Sequence, residues 1–202
     1  SVSGEGKTFS AANLAAIIAL NYRKVLLIGC DMRKPALHRI FNLPYQTGIT
    51  SYLIGEKKME EVIYPTTIEN LDVIPSGQVP PNPAELIDTE EMSEIFKYVR
   101  KEYDYIIVDT PPIAMVADAL SLATYADLTL YLVRQDFSHK SVLEIANSMK
   151  EEEKLPKTYL LINDIRPSKS MGINYYYGYG KGYNYGYYSY YNTYAEENKH
   201  RP

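Results

Sequence analysis

A single cysteine in 202 residues, Cys30, leaves no partner for an internal disulfide and none for a cysteine-based zinc site. The three histidines, His38, His139 and His200, are too scattered along the chain to suggest a metal site or a catalytic pair. No long hydrophobic run is present. The longest, Ala11–Leu20, is interrupted by Asn13 and falls short of the roughly 20 apolar residues that a membrane-crossing helix needs. Charge of one sign is not in excess either: 21 Lys and Arg face 25 Asp and Glu, a net −4 that gives nucleic acid no bulk electrostatic attraction. What is present, 46% apolar and 23% charged residues, is ordinary for a globular domain. The length suits one domain plus a tail.

Apolar patterning predicts an α/β fold. Phe9–Tyr22, rich in Ala and Leu, reads as a helix, and Val25–Ile28 as a strand buried on both faces. Short elements are expected at Pro35–Phe41 and Gly48–Gly55, a strand at Leu71–Pro75, and a helix over Ala84–Tyr98 after the turn Pro80–Pro83. Strands at Tyr105–Val108, Leu128–Val133 and Thr158–Ile162 follow, with a helix over Ser138–Glu153 between the last two. The acidic run Glu151–Glu153 reads as that helix's solvated end. Strands alternating with helices imply a parallel sheet with helices on both faces, in which ligands bind beyond the carboxyl ends of the strands.

The chain opens on Ser1-Val2-Ser3-Gly4-Glu5-Gly6-Lys7-Thr8. Glycines let backbone N–H groups approach an anion, and the helix that follows adds a favourable dipole. Lys7 is placed to reach outer phosphates and Thr8 to put its hydroxyl on magnesium, with Gly4, Glu5, Gly6 and Phe9 completing the nucleotide-binding stretch. Ser1 stands where the general pattern has its first glycine. The loop begins the chain, whereas such folds place a strand before it, so the sequence reads as part of a longer protein.

Two acids end apolar strands. Asp109 follows Ile106–Val108 and precedes Thr110-Pro111-Pro112, where a carboxylate can hold magnesium or can simply cap a helix. Asp31 and Arg33 follow Val25–Ile28 through Gly29-Cys30. Asp31 suits a proton acceptor for an attacking hydroxyl or a metal support, and Arg33 an acid or phosphate partner, unless both pair only with neighbours. Asn163, ending the last strand, fits either a base contact or a turn.

From Pro167 the composition changes to Gly, Asn, Ser and Tyr, with four basic and two acidic residues. Aliphatic residues nearly vanish after Ile173, so residues 167–202 are expected to form a disordered tail after a domain over 1–166. Eleven of the 21 tyrosines fall within twenty residues: Tyr175, Tyr176, Tyr177, Tyr179, Tyr183, Tyr185, Tyr187, Tyr188, Tyr190, Tyr191 and Tyr194. Taken alone, such a segment also fits an adhesive low-complexity linker.

Gly4–Thr8, Ile28–Arg33 and Ile106–Pro112, with Pro81–Leu86 and the tyrosine cluster, jointly resemble the bacterial tyrosine kinases (BY-kinases) of capsule and exopolysaccharide export. The resemblance implies a P-loop NTPase-type fold using ATP and Mg2+. Lys7 and Thr8 would bind ATP and metal, Asp109 would support the metal, and Asp31 would be the base. It further implies trans-phosphorylation of the tail tyrosines within a ring-like homo-oligomer at the cytoplasmic face of the bacterial inner membrane. The implied partners are a transmembrane polysaccharide co-polymerase, fused or separate, and a tyrosine phosphatase, with no nucleic acid. Gly29 departs from the family by occupying the first acidic position of the second motif. The competing readings are a non-catalytic nucleotide-binding regulator or scaffold of export and a chromosome- or septum-positioning P-loop ATPase. The latter usually carries a lysine where this chain has Val2.

Overall fold

Strand β1, Val25–Gly29, is buried at all five positions because helices cover both faces of its sheet. The structure, a computed structural model, describes residues 2–113, 118–155 and 157–166. On one face Val25 and Leu27 pack with Ala12, Ala15 and Ala19 of helix α1, Lys7–Ala19. The three alanines let the helix axis lie close to the sheet. On the other face Leu26 and Ile28 meet Met92, Ile95, Phe96 and Val99 of helix α5, Glu90–Glu102. Those four recur at one-turn spacing, and burying each contributes about 1.5–3 kcal/mol. Glu90 and Glu91 in the first turn and Arg100 and Lys101 in the last oppose the helix dipole.

Short helices α2, Leu37–Ile40, and α3, Ile49–Leu53, follow β1. Then come strands β2, Tyr64–Pro65, and β3, Leu71–Ile74, and helix α4, Pro83–Ile87. After α5 lie β4, Tyr105–Asp109, α6, Asp118–Ala123, β5, Thr129–Arg134, α7, Ser141–Glu151, and β6, Thr158–Asn163. One sheet has the order β2-β3-β1-β4 and a second pairs β5 with β6. All pairings are parallel except β2 with β3, where Pro65 sits on the edge strand and withholds no ladder donor from a neighbour. The described elements belong to one compact unit, residues 1–165. No helix among the described residues is long and apolar enough to cross a membrane.

Three expectations need correction. The helix expected over Ala84–Tyr98 is two, α4 and α5, broken at Asp88-Thr89. The Thr89 hydroxyl donates to Leu86 O at 2.9 Å and accepts from Met92 N–H at 3.4 Å, ending one helix and capping the next. Helix α1 stops before Tyr22, which adopts φ 58°. Helix α7 starts three residues later than expected, leaving Ser138 to the loop before it. Nothing in the hydrophobic pattern announced β2 or α6. The tyrosine cluster Tyr175–Tyr194 lies outside the described residues.

Candidate nucleotide-phosphate site

Register brings the strand ends together. Gly29 pairs with Asp109 across β1 and β4, and Arg134 with Asn163 across β5 and β6. The loop Val2–Gly6 contacts the ends of β5 and β6 through Arg134 and Asn163. Gly4 and Gly6 adopt φ 87° and 93°, conformations that L side chains rarely take. Gly6 is also crowded: a Cβ there would lie 2.4 Å from Asn163 Nδ2.

A loop that converges N–H groups on an anion must turn its carbonyls outward, where they need donors. Three side chains supply them. Lys7 Nζ donates to Val2 O at 2.7 Å, Arg134 Nη1 to Gly4 O at 3.1 Å, and Asn163 Nδ2 to Glu5 O at 2.9 Å. Glu5 is fully buried. Its Oε2 accepts from Val2 N–H at 2.6 Å and its Oε1 from the Ser138 hydroxyl at 2.6 Å. Phe137 covers the outside of Gly4, with ring Cζ 3.1 Å from where a Cβ would stand.

Asp109, 3% exposed at the end of β4, lies beside Thr8. Burial pushes its carboxyl up to about 6, the neighbouring Asp31 charge adds to that, and Thr8 and Lys7 oppose it. Burial lowers the Lys7 ammonium, while Glu5, Asp109 and Asp31 pull it back up. Asp31 accepts from Lys34 N–H at 3.0 Å, which fixes the loop after β1. Arg33 lies on that loop and is exposed. The Phe9 ring is 55% exposed on α1, while its carbonyl accepts from Asn13 at 2.8 Å.

The site is therefore short of positive charge, with two strand-end carboxylates beside one ammonium. A hydroxyl and two carboxylates form an all-oxygen donor set of the kind a magnesium ion takes, together with waters and nucleotide phosphates. Among the described residues no group of three or more His, Cys, Asp and Glu comes together that could hold a metal by itself. Phosphate oxygens would complete the shell.

Gly29, the departure from the acidic pattern, sits tightly packed. A Cβ there would lie 2.9 Å from Ser76 Oγ and 3.0 Å from Leu37 Cδ1. The buried Ser76 hydroxyl is within reach of two carbonyls, Gly29 O at 2.9 Å and Asp31 O at 3.2 Å, and so ties the end of β3 to the acidic loop. Sequence reasoning missed Ser76, Arg134, Phe137, Ser138 and Asp164. The available signal was position alone, since each lies at or just beyond the carboxyl end of a strand. A cleft of about 400 Å³ opens between the loop after β5, the start of α7 and the end of β6, lined in part by Arg134, Ser138, Leu143, Ile162 and Ile165.

Parallel strands whose carboxyl ends surround a glycine loop, its lysine and a Thr–Asp pair define a P-loop nucleotide-binding domain. Residues 2–162 match the family model of an AAA domain. The chain is 40% identical over 176 residues to tyrosine-protein kinase YwqD of Bacillus subtilis, covering 87% of this chain and 73% of that protein. With tyrosine-protein kinase Wzc of Salmonella typhimurium it shares 37% identity over 160 residues, 79% of this chain. The structure of the kinase domain of Escherichia coli tyrosine kinase ETK superposes with a TM-score of 0.79 at 31% identity, covering 91% of this chain and 70% of that one. The chain belongs to the bacterial tyrosine-kinase family. It spans 22% of the length of the Wzc relative.

Proposed function

We propose that this chain is the catalytic portion of a protein-tyrosine autokinase, with residues 1–166 as the ATP-using domain and 167–202 as its substrate segment. The observation that carries the reading is the convergence of Lys7, Thr8, Asp109 and Asp31 on one glycine loop in a chain of this family. Lys7 exchanges its contact with Val2 O for the outer phosphates of ATP. Thr8 and Asp109 would hold magnesium, with Asp31 beside them, and the ion would neutralise phosphate charge when bound. Asp31 accepts the proton of an incoming tyrosine hydroxyl. The phenolic oxygen bonds to the γ-phosphorus, the bond between that phosphorus and the β,γ-bridging oxygen breaks, and ADP leaves. Arg33 steadies an acid or phosphate at the mouth of the site.

The acceptors are the tyrosines between Tyr175 and Tyr194 of a neighbouring copy in a ring-like assembly. Each phosphate adds about two negative charges to a tail carrying only four basic and two acidic residues. Repulsion between modified tails then loosens the assembly. In this reading the protein works at the cytoplasmic face of the membrane with a polysaccharide co-polymerase, and a tyrosine phosphatase resets it. The cycle regulates capsule or exopolysaccharide polymerisation and export.

Gly29 in place of an acid favours one second reading, a nucleotide-binding regulator that transfers no phosphate. The discriminating experiment is incubation with ATP and magnesium followed by mass-spectrometric mapping, alongside Lys7→Met. Phosphate on Tyr175–Tyr194 that disappears in the variant is the expected result. ATP binding without any phosphotyrosine selects the regulator.

A further inference from the structure

Arg134 ends β5, 130 residues away from Gly4 in sequence, yet its Nη1 donates to the Gly4 carbonyl at 3.1 Å. Its other nitrogens are engaged separately. Nε and Nη2 both reach Asp164 Oδ2 at 3.0 Å, and the guanidinium lies 5.2 Å from the centre of the Phe137 ring. Asp164 follows β6 in a left-handed conformation, φ 55°, which an aspartate tolerates better than most residues. Ion pair, ring and loop thus fix one guanidinium in one orientation. A lysine in its place would keep the charge without the planar fork.

The peptide between Gly4 and Glu5 is planar and trans, so its carbonyl and its N–H point opposite ways. Holding Gly4 O toward Arg134 therefore turns the Glu5 N–H the opposite way, toward the side from which a phosphate held by the loop would be bound. We propose that Arg134, oriented by Asp164 and Phe137, is a positioning residue that presets the phosphate loop for nucleotide. This inference rests on the nucleotide-binding reading above and adds a second element of control to it, the β5–α7 loop. That loop also supplies Ser138 to the buried Glu5 carboxylate, so Arg134 and Ser138 grip two successive residues of the phosphate loop.

The test uses the full 202-residue chain. Binding of a fluorescent ADP is titrated for the wild type, Arg134→Gln, Arg134→Lys, Asp164→Asn and the Arg134→Gln/Asp164→Asn double variant. Hydrogen exchange at the Glu5 amide and the thermal midpoint of the unliganded proteins are measured in parallel. Loss of one charge-assisted hydrogen bond predicts an ADP Kd about tenfold higher for Arg134→Gln, with a smaller rise for Asp164→Asn and for the lysine variant. The double variant is expected to be no weaker than Arg134→Gln alone, because Asp164 acts through Arg134. Exchange at Glu5 should quicken in each variant, and in turnover assays KM for ATP should rise with kcat little changed.

A purely structural role would lower the thermal midpoint and leave Kd and Glu5 exchange at wild-type values; that outcome overturns the proposal. Additive losses in the double variant would also overturn it. Wild-type chain that binds no ADP refutes the nucleotide-binding reading and this inference with it. Wild-type binding with unchanged variants refutes this inference alone.

Discussion

Asp109→Asn is expected to make the unliganded protein more stable while disabling it. The carboxyl is 3% exposed and pushed from 3.8 up to about 6, first by burial and then by the Asp31 charge. A folded-state value above the unfolded one means that the folded protein holds the proton more tightly. Stability from this group is then full below about pH 4 and is lost as pH rises through about 6. The shift corresponds to about 3 kcal/mol of destabilisation above pH 7, and to about half of that at pH 5. Asparagine keeps the shape and an acceptor for Thr8 but never ionises. Urea unfolding of both proteins from pH 5 to pH 8 should therefore show the variant gaining on the wild type by about 1–2 kcal/mol over that range, then levelling off. Magnesium-dependent ATP binding should fall sharply in the same variant, since a carboxylate has been removed from the donor set. A stability difference that does not change with pH would refute the account of Asp109 as a buried, charge-strained acid. So would an asparagine variant less stable than the wild type at pH 8.

The remaining predictions concern the loop and its supports. Gly6→Ala forces a side chain into a positive-φ position 2.4 Å from Asn163 Nδ2, so nucleotide binding should be lost by titration; Gly6→Ala/Asn163→Ala should regain only part of it, because the backbone strain persists. Gly29→Asp must displace Ser76 Oγ and Leu37, and is expected to lower stability by about 1–3 kcal/mol in urea unfolding; adding Ser76→Ala should relieve part of that loss. Thr89→Ala removes the cap of α5 and should cost about 1 kcal/mol, as read by urea unfolding. Chelating magnesium should weaken ATP binding in the wild type but change little in Asp109→Asn, as read by the same titration.

The local chemistry of the loop was legible in the sequence. Gly4, Gly6, Lys7 and Thr8 are contiguous, and their roles follow from backbone freedom and side-chain reach, which depend on neighbours in sequence. The apolar runs of β1 and β4 were equally plain, because a strand covered on both faces has to be hydrophobic throughout. The break between α4 and α5 was not, because Thr89 is compatible with a helix interior until its hydroxyl is seen bonded to Leu86 and Met92.

What sequence alone determined was the fold class and the places of the glycine loop and the two acids set beside Lys7, since each is written in a short contiguous pattern. Tertiary structure alone decided how the loop is held. Arg134, Ser138 and Asn163 lie more than 125 positions from Gly4 and Glu5, and only the parallel register of β5 and β6 delivers them there. It also decided the ionisation of Asp109, whose shift comes first from burial and then from Asp31, 78 residues earlier in the chain. Burial and charge proximity are properties of the packed molecule, and a one-dimensional pattern carries neither.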